Sequence, residues 1–201
     1  MTDRLRIVFL VTAIFLLGGI VLTRAVFSPP PSAPPLVYGI VPAFSLTDQQ
    51  GRALTSADLH GRVWIADFIF TSCAGQCLLM SDQMTGLQRM LHNENGIRFV
   101  SFSVDPEHDT PEILSAYAQR HGADARWHLV TGDRAAMTAL CRDGFRLALG
   151  EGVSPREPIA HSVRLVLVDR AGRIRGYYDA AEASAMAHLR EDARRLLATD
   201  Q

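Results

Sequence analysis

The sequence has little of what several common functional classes need. Its 201 residues include only three cysteines, aromatic residues make up 7%, and the formal net charge is -1. Three cysteines exclude a disulfide framework. A near-neutral chain with few aromatics also lacks the basic surface that nucleic-acid binding needs, and no Walker-type or GxGxxG phosphate loop is present. What the chain does have is one closely spaced pair of cysteines.

The amino terminus carries an apolar run that follows Arg4 and Arg6. It predicts one membrane anchor over residues 1–27, although a cleaved secretory signal or a buried helix would give a similar pattern. The positive flank should stay cytoplasmic, and the proline-rich residues 28–40 predict a stiff linker. We therefore expect a single-pass protein of the inner membrane. Its domain, over residues 41–201, would lie on the periplasmic side, where thiols can be oxidised.

The order of elements in residues 41–201 predicts an α/β domain. Val63–Phe70 and Ile97–Val104 are apolar enough for buried strands, and each is followed by helical spacing. Further elements are a hairpin around Gln50–Gly51, a helix starting at Thr110–Pro111, a short helix over Arg134–Asp143, a hairpin over Ser162–Asp179 and a closing helix over Ala183–Leu197. This pattern predicts a mixed central sheet flanked by helices.

Cys73 and Cys77 directly follow the first buried strand, in DFIFTSCAGQC. Their spacing at a helix start keeps the Cα atoms about 6 Å apart, within reach of a disulfide. The same spacing lets both sulfurs face one soft metal ion, and a helix amino terminus favours thiolate over thiol. The pair alone leaves a redox couple and a metal site both open. Cys141 has apolar helical neighbours and is expected to pack in the core.

Several segments together resemble the SCO proteins, which serve copper delivery to cytochrome c oxidase. They are DFIFTSCAGQC, SFSVDPEHDTPEILSAYAQRHG, WHLVTG and AHSVRLVLVDRAGRIRGYYD, in the expected order after an anchor. The resemblance implies a thioredoxin-like fold and copper, Cu(I) or Cu(II), bound by Cys73, Cys77 and His161. The same two cysteines would form a redox-active disulfide. Implied partners are oxidase subunit II, other copper chaperones and thioredoxin-like reductants.

Loop residues complete the expected site. A strand that starts at Ser162 and runs antiparallel to Val63–Phe70 would begin at the edge where the cysteines lie, which agrees with His161 as the ligand. His108, in a loop that also follows a strand, is the rival. Asp105 and Asp109 bracket that loop. Either they orient His161 or receive a proton when metal binds, or they only cap the turn and the next helix.

Two functions from different classes remain. One is a metallochaperone, which is not an enzyme and which delivers copper to the binuclear site of subunit II or reduces its thiols. The other is a thiol–disulfide oxidoreductase or a copper and redox sensor on the same fold. Reductases usually carry CxxC, so the longer spacing favours metal. Ala74 and Leu78 replace the prolines of the family's CPxxCP pattern, which puts the loop's rigidity and the thiols' acidity in doubt.

Overall fold

The computed structural model of the chain describes Thr12 and residues 36–73, 75–154 and 157–199. The domain belongs to one compact unit over Pro34–Gln201. The predicted anchor, apart from Thr12, and most of the predicted linker lie outside the described residues, so both stay predictions. Among the residues that are described, no helix is both long enough and apolar enough to cross a membrane.

Ten strands and four α-helices make up the described domain. The strands are β1 (Gly39–Ile40), β2 (Ser45–Asp48), β3 (Ala53–Thr55), β4 (Val63–Ile69), β5 (Ile97–Ser103), β6 (Trp127–Thr131), β7 (Leu149–Ser154), β8 (Glu157–His161), β9 (Arg164–Val168) and β10 (Arg173–Asp179). The helices are α1 (Gln76–Met90), α2 (Pro111–Arg120), α3 (Arg134–Ala139) and α4 (Ala183–Ala198). A 3₁₀ turn (Ser56–Leu59) follows β3, and a π-helical turn (Leu140–Gly144) continues α3.

Eight strands form one mixed sheet in the order β1-β10-β9-β4-β5-β6-β2-β3. The centre is parallel, because β4 pairs with β5 and β5 with β6, with α1 and α2 in the connections. β9 joins β4 in the antiparallel sense. Parallel strands place their carboxyl ends at one edge, and ligand sites gather there. The expected mixed α/β sheet is thus confirmed, and the cysteines follow β4 at that edge.

Local sequence explains why the elements begin where they do. Every residue of β4 is buried, as expected for a strand covered on both faces. The α2 helix starts after Thr110, whose hydroxyl accepts from the backbone N–H of Ile113, with Pro111 in its first turn. In the core, the Phe145 ring after the π turn lies 5.2 Å from the Phe68 ring and 5.4 Å from that of Phe102. Aromatic packing therefore fixes the π turn against the sheet.

Some elements differ from the expectations. β6 and the β7–β8 hairpin come from segments that the sequence pattern did not mark as strands. β1 takes Gly39 and Ile40, at the end of the predicted linker, into the sheet beside β10. The strand expected to begin at Ser162 begins at Arg164, so His161 ends β8 in a separate two-stranded sheet. Cys141 lies fully buried in the π turn, as expected, and burial raises the pKa of its thiol to about 12.

Candidate metal centre

The end of β4 and the start of α1 carry the two cysteines. β4 ends at Ile69, the backbone N–H of Cys73 donates to the carbonyl of Phe70 (3.2 Å), and Cys77 is the second residue of α1. Gly75 caps the helix without a side-chain hydrogen bond. Both cysteines are present as thiols. Ala74, between them, lies outside the described residues.

Both thiols are buried, with Cys73 6% and Cys77 0% exposed. Burial raises the pKa of the Cys77 thiol, a hydrogen bond with the Phe70 backbone offsets part of the rise, and the hydrogen bond with Cys73 and the charges of Cys73 and Asp67 add to it. The hydrogen bond between the side chains shows that the two sulfurs are adjacent. Burial thus opposes the thiolate form of Cys77, and the expectation that the helix amino terminus favours thiolate over thiol stays a prediction.

Asp67 lies behind the cysteines and is a residue that the site prediction missed. It is fully buried on β4, opposite Ser101 on β5. Burial raises its pKa to about 7; the nearby Ser101 hydroxyl offsets part of the rise, although neither carboxylate oxygen has a hydrogen bond of good geometry. Its charge also acts on Cys77 and Tyr117. One acidic residue within the apolar run VWIADFIF is the sequence signal that could have found it.

A buried hydrogen bond lies near this carboxyl group. The hydroxyls of Ser81 on α1 and Tyr117 on α2 are 2.7 Å apart. Burial raises the pKa of Tyr117, the hydrogen bond with Ser81 opposes the rise, and the charges of Asp67, Cys77 and Cys73 add to it. These groups therefore form one buried polar cluster behind the thiols, which we call the Asp67 cluster (Asp67, Ser81 and Tyr117).

Asp109 connects the loop after β5 to the loop that carries Cys73. Its buried carboxylate accepts from the backbone N–H of Thr71 (3.1 Å), from the Thr71 hydroxyl and from the Ser103 hydroxyl (2.6 Å). A carboxylate with this many donors is held in one position. Since Thr71 is two residues before Cys73, Asp109 fixes the approach to the first thiol.

Asp105 has a more exposed setting. Its carboxylate receives the Arg134 guanidinium (3.4 Å), and its carbonyl accepts from the N–H groups of His108 and Asp109 (3.1 and 2.9 Å). These contacts are those of a turn. Whether Asp105 or Asp109 also orients His161 stays a prediction.

The two histidines of interest occupy different elements. The Nδ1 atom of His108 lies 3.0 Å from an Asp109 oxygen, and that hydrogen bond raises the His108 pKa. Because Asp109 engages only Nδ1, the Nε2 atom of His108 stays available to a metal, so this contact does not remove His108 as the rival ligand. The backbone of His161 pairs with Leu149 on β7, and its side chain lies outside the described part. Among the residues that the structure describes, no three His, Cys, Asp or Glu groups converge as a metal site, so the third ligand stays a prediction.

The fold and the paired thiols define a thioredoxin-like thiol protein, and comparison with known proteins makes the class specific. The SCO1/SenC family model matches residues 34–198. The chain is 33% identical over 151 residues to the SCO1 protein homolog of Bacillus subtilis (strain 168), which covers 74% of this chain and 77% of that protein. The chain belongs to the SCO1/SenC family.

Solved structures share the architecture. BsSco, a member of the Sco family of cytochrome c oxidase assembly proteins in which a disulfide switch was identified, has a TM-score of 0.72 at 30% identity, over 82% of this chain and 96% of that one. ScoI of Bradyrhizobium japonicum, solved with copper bound, has a TM-score of 0.67 at 24% identity, over 78% of this chain and 99% of that one. The expected thioredoxin-like fold is therefore confirmed.

The buried Asp67 predicts an unusual dependence of stability on pH. Its pKa rises from 3.8 to about 7 on folding, so the folded state holds a proton that the unfolded state has released between these values. The free energy of unfolding should therefore fall as pH rises from about 4 to 7. The side chain in Asp67→Asn cannot ionise. The free energy of unfolding of this variant should therefore rise relative to that of the native protein across that window, by on the order of 4 kcal/mol at most. Urea unfolding of both proteins at pH 5 and pH 8 measures the difference.

Glu107→Gln is the matched control because its shift has the opposite sign. The hydrogen bond from Arg134 lowers the pKa of Glu107. The ionised Glu107 therefore stabilises the folded state at pH values above its unfolded pKa, and this contribution is lost as pH falls through its folded pKa. Its removal should cost a little stability at pH 8 and nothing at low pH. An Asp67→Asn protein whose stability follows that of the native protein at both pH values would contradict the account of Asp67.

Proposed function

We propose that this chain is a membrane-anchored copper metallochaperone that acts in the assembly of cytochrome c oxidase. The observation that carries the proposal is the pair of adjacent, buried thiols of Cys73 and Cys77 at the ligand edge of the sheet. Two sulfurs that share a water-free site suit a soft metal ion such as Cu(I). Membership of the SCO1/SenC family and the copper-bound ScoI structure support the choice of copper.

His161 is proposed as the third ligand. Its backbone lies three residues before β9, which runs antiparallel to β4. The register pairs Ala66 with Val166, so the start of β9 at Arg164 lies level with Phe68 near the carboxyl end of β4. This register supports His161, which precedes β9, as a ligand at the edge where Cys73 follows β4. Two thiolates and one imidazole suit Cu(I), and they accept Cu(II) with a further weak ligand.

The chain's own residues prepare the site for its copper cargo. Copper uptake requires that both thiols lose their protons and that the imidazole is neutral. Asp109 holds Thr71 and thereby the backbone that leads into Cys73. Because the Cys77 thiol is fully buried, water does not compete for its sulfur. Copper delivery to the binuclear site of oxidase subunit II, or reduction of that site's thiols, is the function we propose for this arrangement.

The proposed location follows from the amino-terminal sequence. Residues 1–27 would anchor the chain once in the inner membrane, and the domain would face the periplasm, where subunit II presents its copper site. Other copper chaperones or thioredoxin-like reductants would supply copper or electrons there. The apolar run after Arg4 and Arg6 supports the anchor.

A thiol–disulfide oxidoreductase is the second candidate. Adjacent thiols can close to a disulfide by losing two electrons and two protons, and BsSco has a disulfide switch. In that form the two sulfurs are bonded to each other and cannot both ligate copper. The proposed cysteines serve both candidates, whereas only the copper carrier depends on His161.

The cysteines give the first prediction for copper. The reduced protein should bind one Cu(II) ion with a sulfur-to-copper charge-transfer band. Cys73→Ser or Cys77→Ser should abolish the band, because each removes a thiolate ligand. Cys141→Ser, the control, should keep it, since Cys141 lies in the π turn of the core. Absorption spectroscopy during copper titration measures this. Loss of the band in Cys141→Ser, with retention in Cys77→Ser, would show that the site is misassigned.

His161 gives the prediction that separates the two candidate functions. His161→Ala should keep the fold and the Cys73–Cys77 redox cycle but lose Cu(II) affinity by at least 100-fold, because one of three ligands is gone. His108→Ala, the matched control, should keep copper affinity. Competition titrations measure affinity, and oxidase activity in cells carrying each variant measures maturation. Normal oxidase maturation by His161→Ala would favour the reductase.

A further inference from the structure

A pocket of about 330 Å³ lies beside the segment that follows His161. Its walls come from four parts of the chain: Tyr38 ahead of β1, Arg146 after the π turn, Ser162 and Arg164 at the start of β9, and Tyr177 on β10. Arg164 lies level with Phe68 near the carboxyl end of β4, whereas Tyr177 pairs with Val166 and so lies level with Ala66 in the middle of that strand. The volume of the pocket falls at the lower end of the range for small-molecule sites.

Two guanidinium groups at this pocket have no ion pair within the described part of the chain. Arg146 donates to the carbonyl of Tyr38 (3.1 Å), which leaves most of its five donors available. Arg164 lies opposite Asp179 on β10, but an Asp179 oxygen accepts from the backbone N–H of Ala181 (2.9 Å). Both arginines are exposed. The pocket therefore combines two cations in a chain whose net charge is -1.

The backbone of Arg146 is strained. Its φ angle is 54°, the one positive value for a non-glycine among the residues that the structure describes. Such a conformation costs free energy and persists only where the surroundings hold it. The guanidinium packs over β1, because a Cβ atom built on Gly39 would lie 3.8 Å from its Cζ. The side chain of Arg146 thus lies at the pocket although its backbone conformation is unfavourable.

Tyr177 connects the two cations. Its hydroxyl donates to the carbonyl of Phe145 (3.0 Å), and its ring meets that of Tyr38 edge-on at 5.6 Å. Burial raises the pKa of Tyr177, whereas the charges of Arg146 and Arg164 oppose the rise. The charges of both guanidinium groups therefore act on the Tyr177 hydroxyl. Contact between the Tyr38 and Tyr177 rings holds this wall of the pocket in place.

The guanidinium groups decide what the pocket could bind. Phosphate sites commonly use a cradle of open backbone N–H groups, and here those of Tyr38, Leu147 and Ser162 already donate to Ile174, Cys141 and Ala148 (2.9, 3.0 and 3.1 Å). Planar guanidinium forks match both carboxylate and phosphate, so the carboxylate is the ligand to test and phosphate is its rival.

We propose that this pocket, framed by Arg146, Arg164 and Tyr177, is a carboxylate-binding site beside the segment that leads from His161 into β9. Its ligand is either a free dicarboxylate or an acidic side chain of a protein that docks over the start of β9. In the second case, and on the proposed function, the pocket would seat the copper partner next to the metal site. The pocket itself is complete without metal.

Calorimetric titration of the reduced, metal-free, full-length protein at constant ionic strength tests the site with three probes. They are succinate, an acetylated tetraglutamate amide and inorganic phosphate. One equivalent of a carboxylate probe should bind saturably, with affinity at least tenfold lower in Arg164→Ala and in Arg146→Gly. Glycine is used at position 146 because it tolerates the positive φ, so this variant removes the guanidinium without unfolding the loop. Arg62→Ala, just before β4 at the opposite edge, is the control and should bind normally.

The outcomes separate the two sources. Tighter binding of succinate identifies a free dicarboxylate, and tighter binding of the peptide identifies an acidic side chain. The proposal is overturned if neither carboxylate saturates, if Arg62→Ala loses as much affinity as the pocket variants, if the pocket variants bind normally, or if phosphate binds tenfold more tightly than both carboxylates. Because no metal is present, none of these results depends on copper binding, and a failed copper titration leaves them unaffected.

Discussion

Burial of the two thiols at the end of β4 is the constraint on which the rest of the site depends. Cys77 is fully excluded from water and Cys73 nearly so. A thiolate in such a place needs a compensating positive charge, because desolvation raises its free energy. Two partners can relieve this: a metal ion that both sulfurs share, or a bond between the sulfurs themselves. Copper binding and disulfide formation are therefore alternative states of one desolvated pair.

Two buried aspartates near this pair have opposite settings. Asp109 accepts hydrogen bonds from Thr71 and Ser103, and these contacts fix the loop before Cys73. Asp67 has no hydrogen bond of good geometry in the described part, and burial raises its pKa to about 7. One aspartate holds the site in place, whereas the other adds a titratable group behind it. The position of each follows from the parallel pairing of β4 with β5.

Much of the fold could be predicted from the sequence, because the central strands and helices carry strong periodic signals. The exceptions have physical causes. β6 is short, and its five residues WHLVT do not show a clear strand pattern. β7 contains two glycines, which weaken the strand pattern in its sequence. The cysteines could be located from their spacing. The raised pKa of Cys77 could not be predicted, because it depends on burial that the packed α1 creates. Asp67 could have been found, because it is the one acidic residue in the apolar run VWIADFIF. His161 could be proposed from the resemblance alone. Its position at the end of β8 could not be predicted, because the sequence pattern did not reveal the β7–β8 hairpin.

The central claim is that Cys73, Cys77 and His161 hold one copper ion together. X-ray absorption spectroscopy at the copper edge of the Cu(I)-loaded protein tests it most directly, because it counts sulfur and nitrogen neighbours without relying on function. The account predicts a first shell of two sulfurs and one imidazole nitrogen, with the nitrogen contribution lost in His161→Ala. A first shell without sulfur, or one that His161→Ala leaves unchanged, would contradict it.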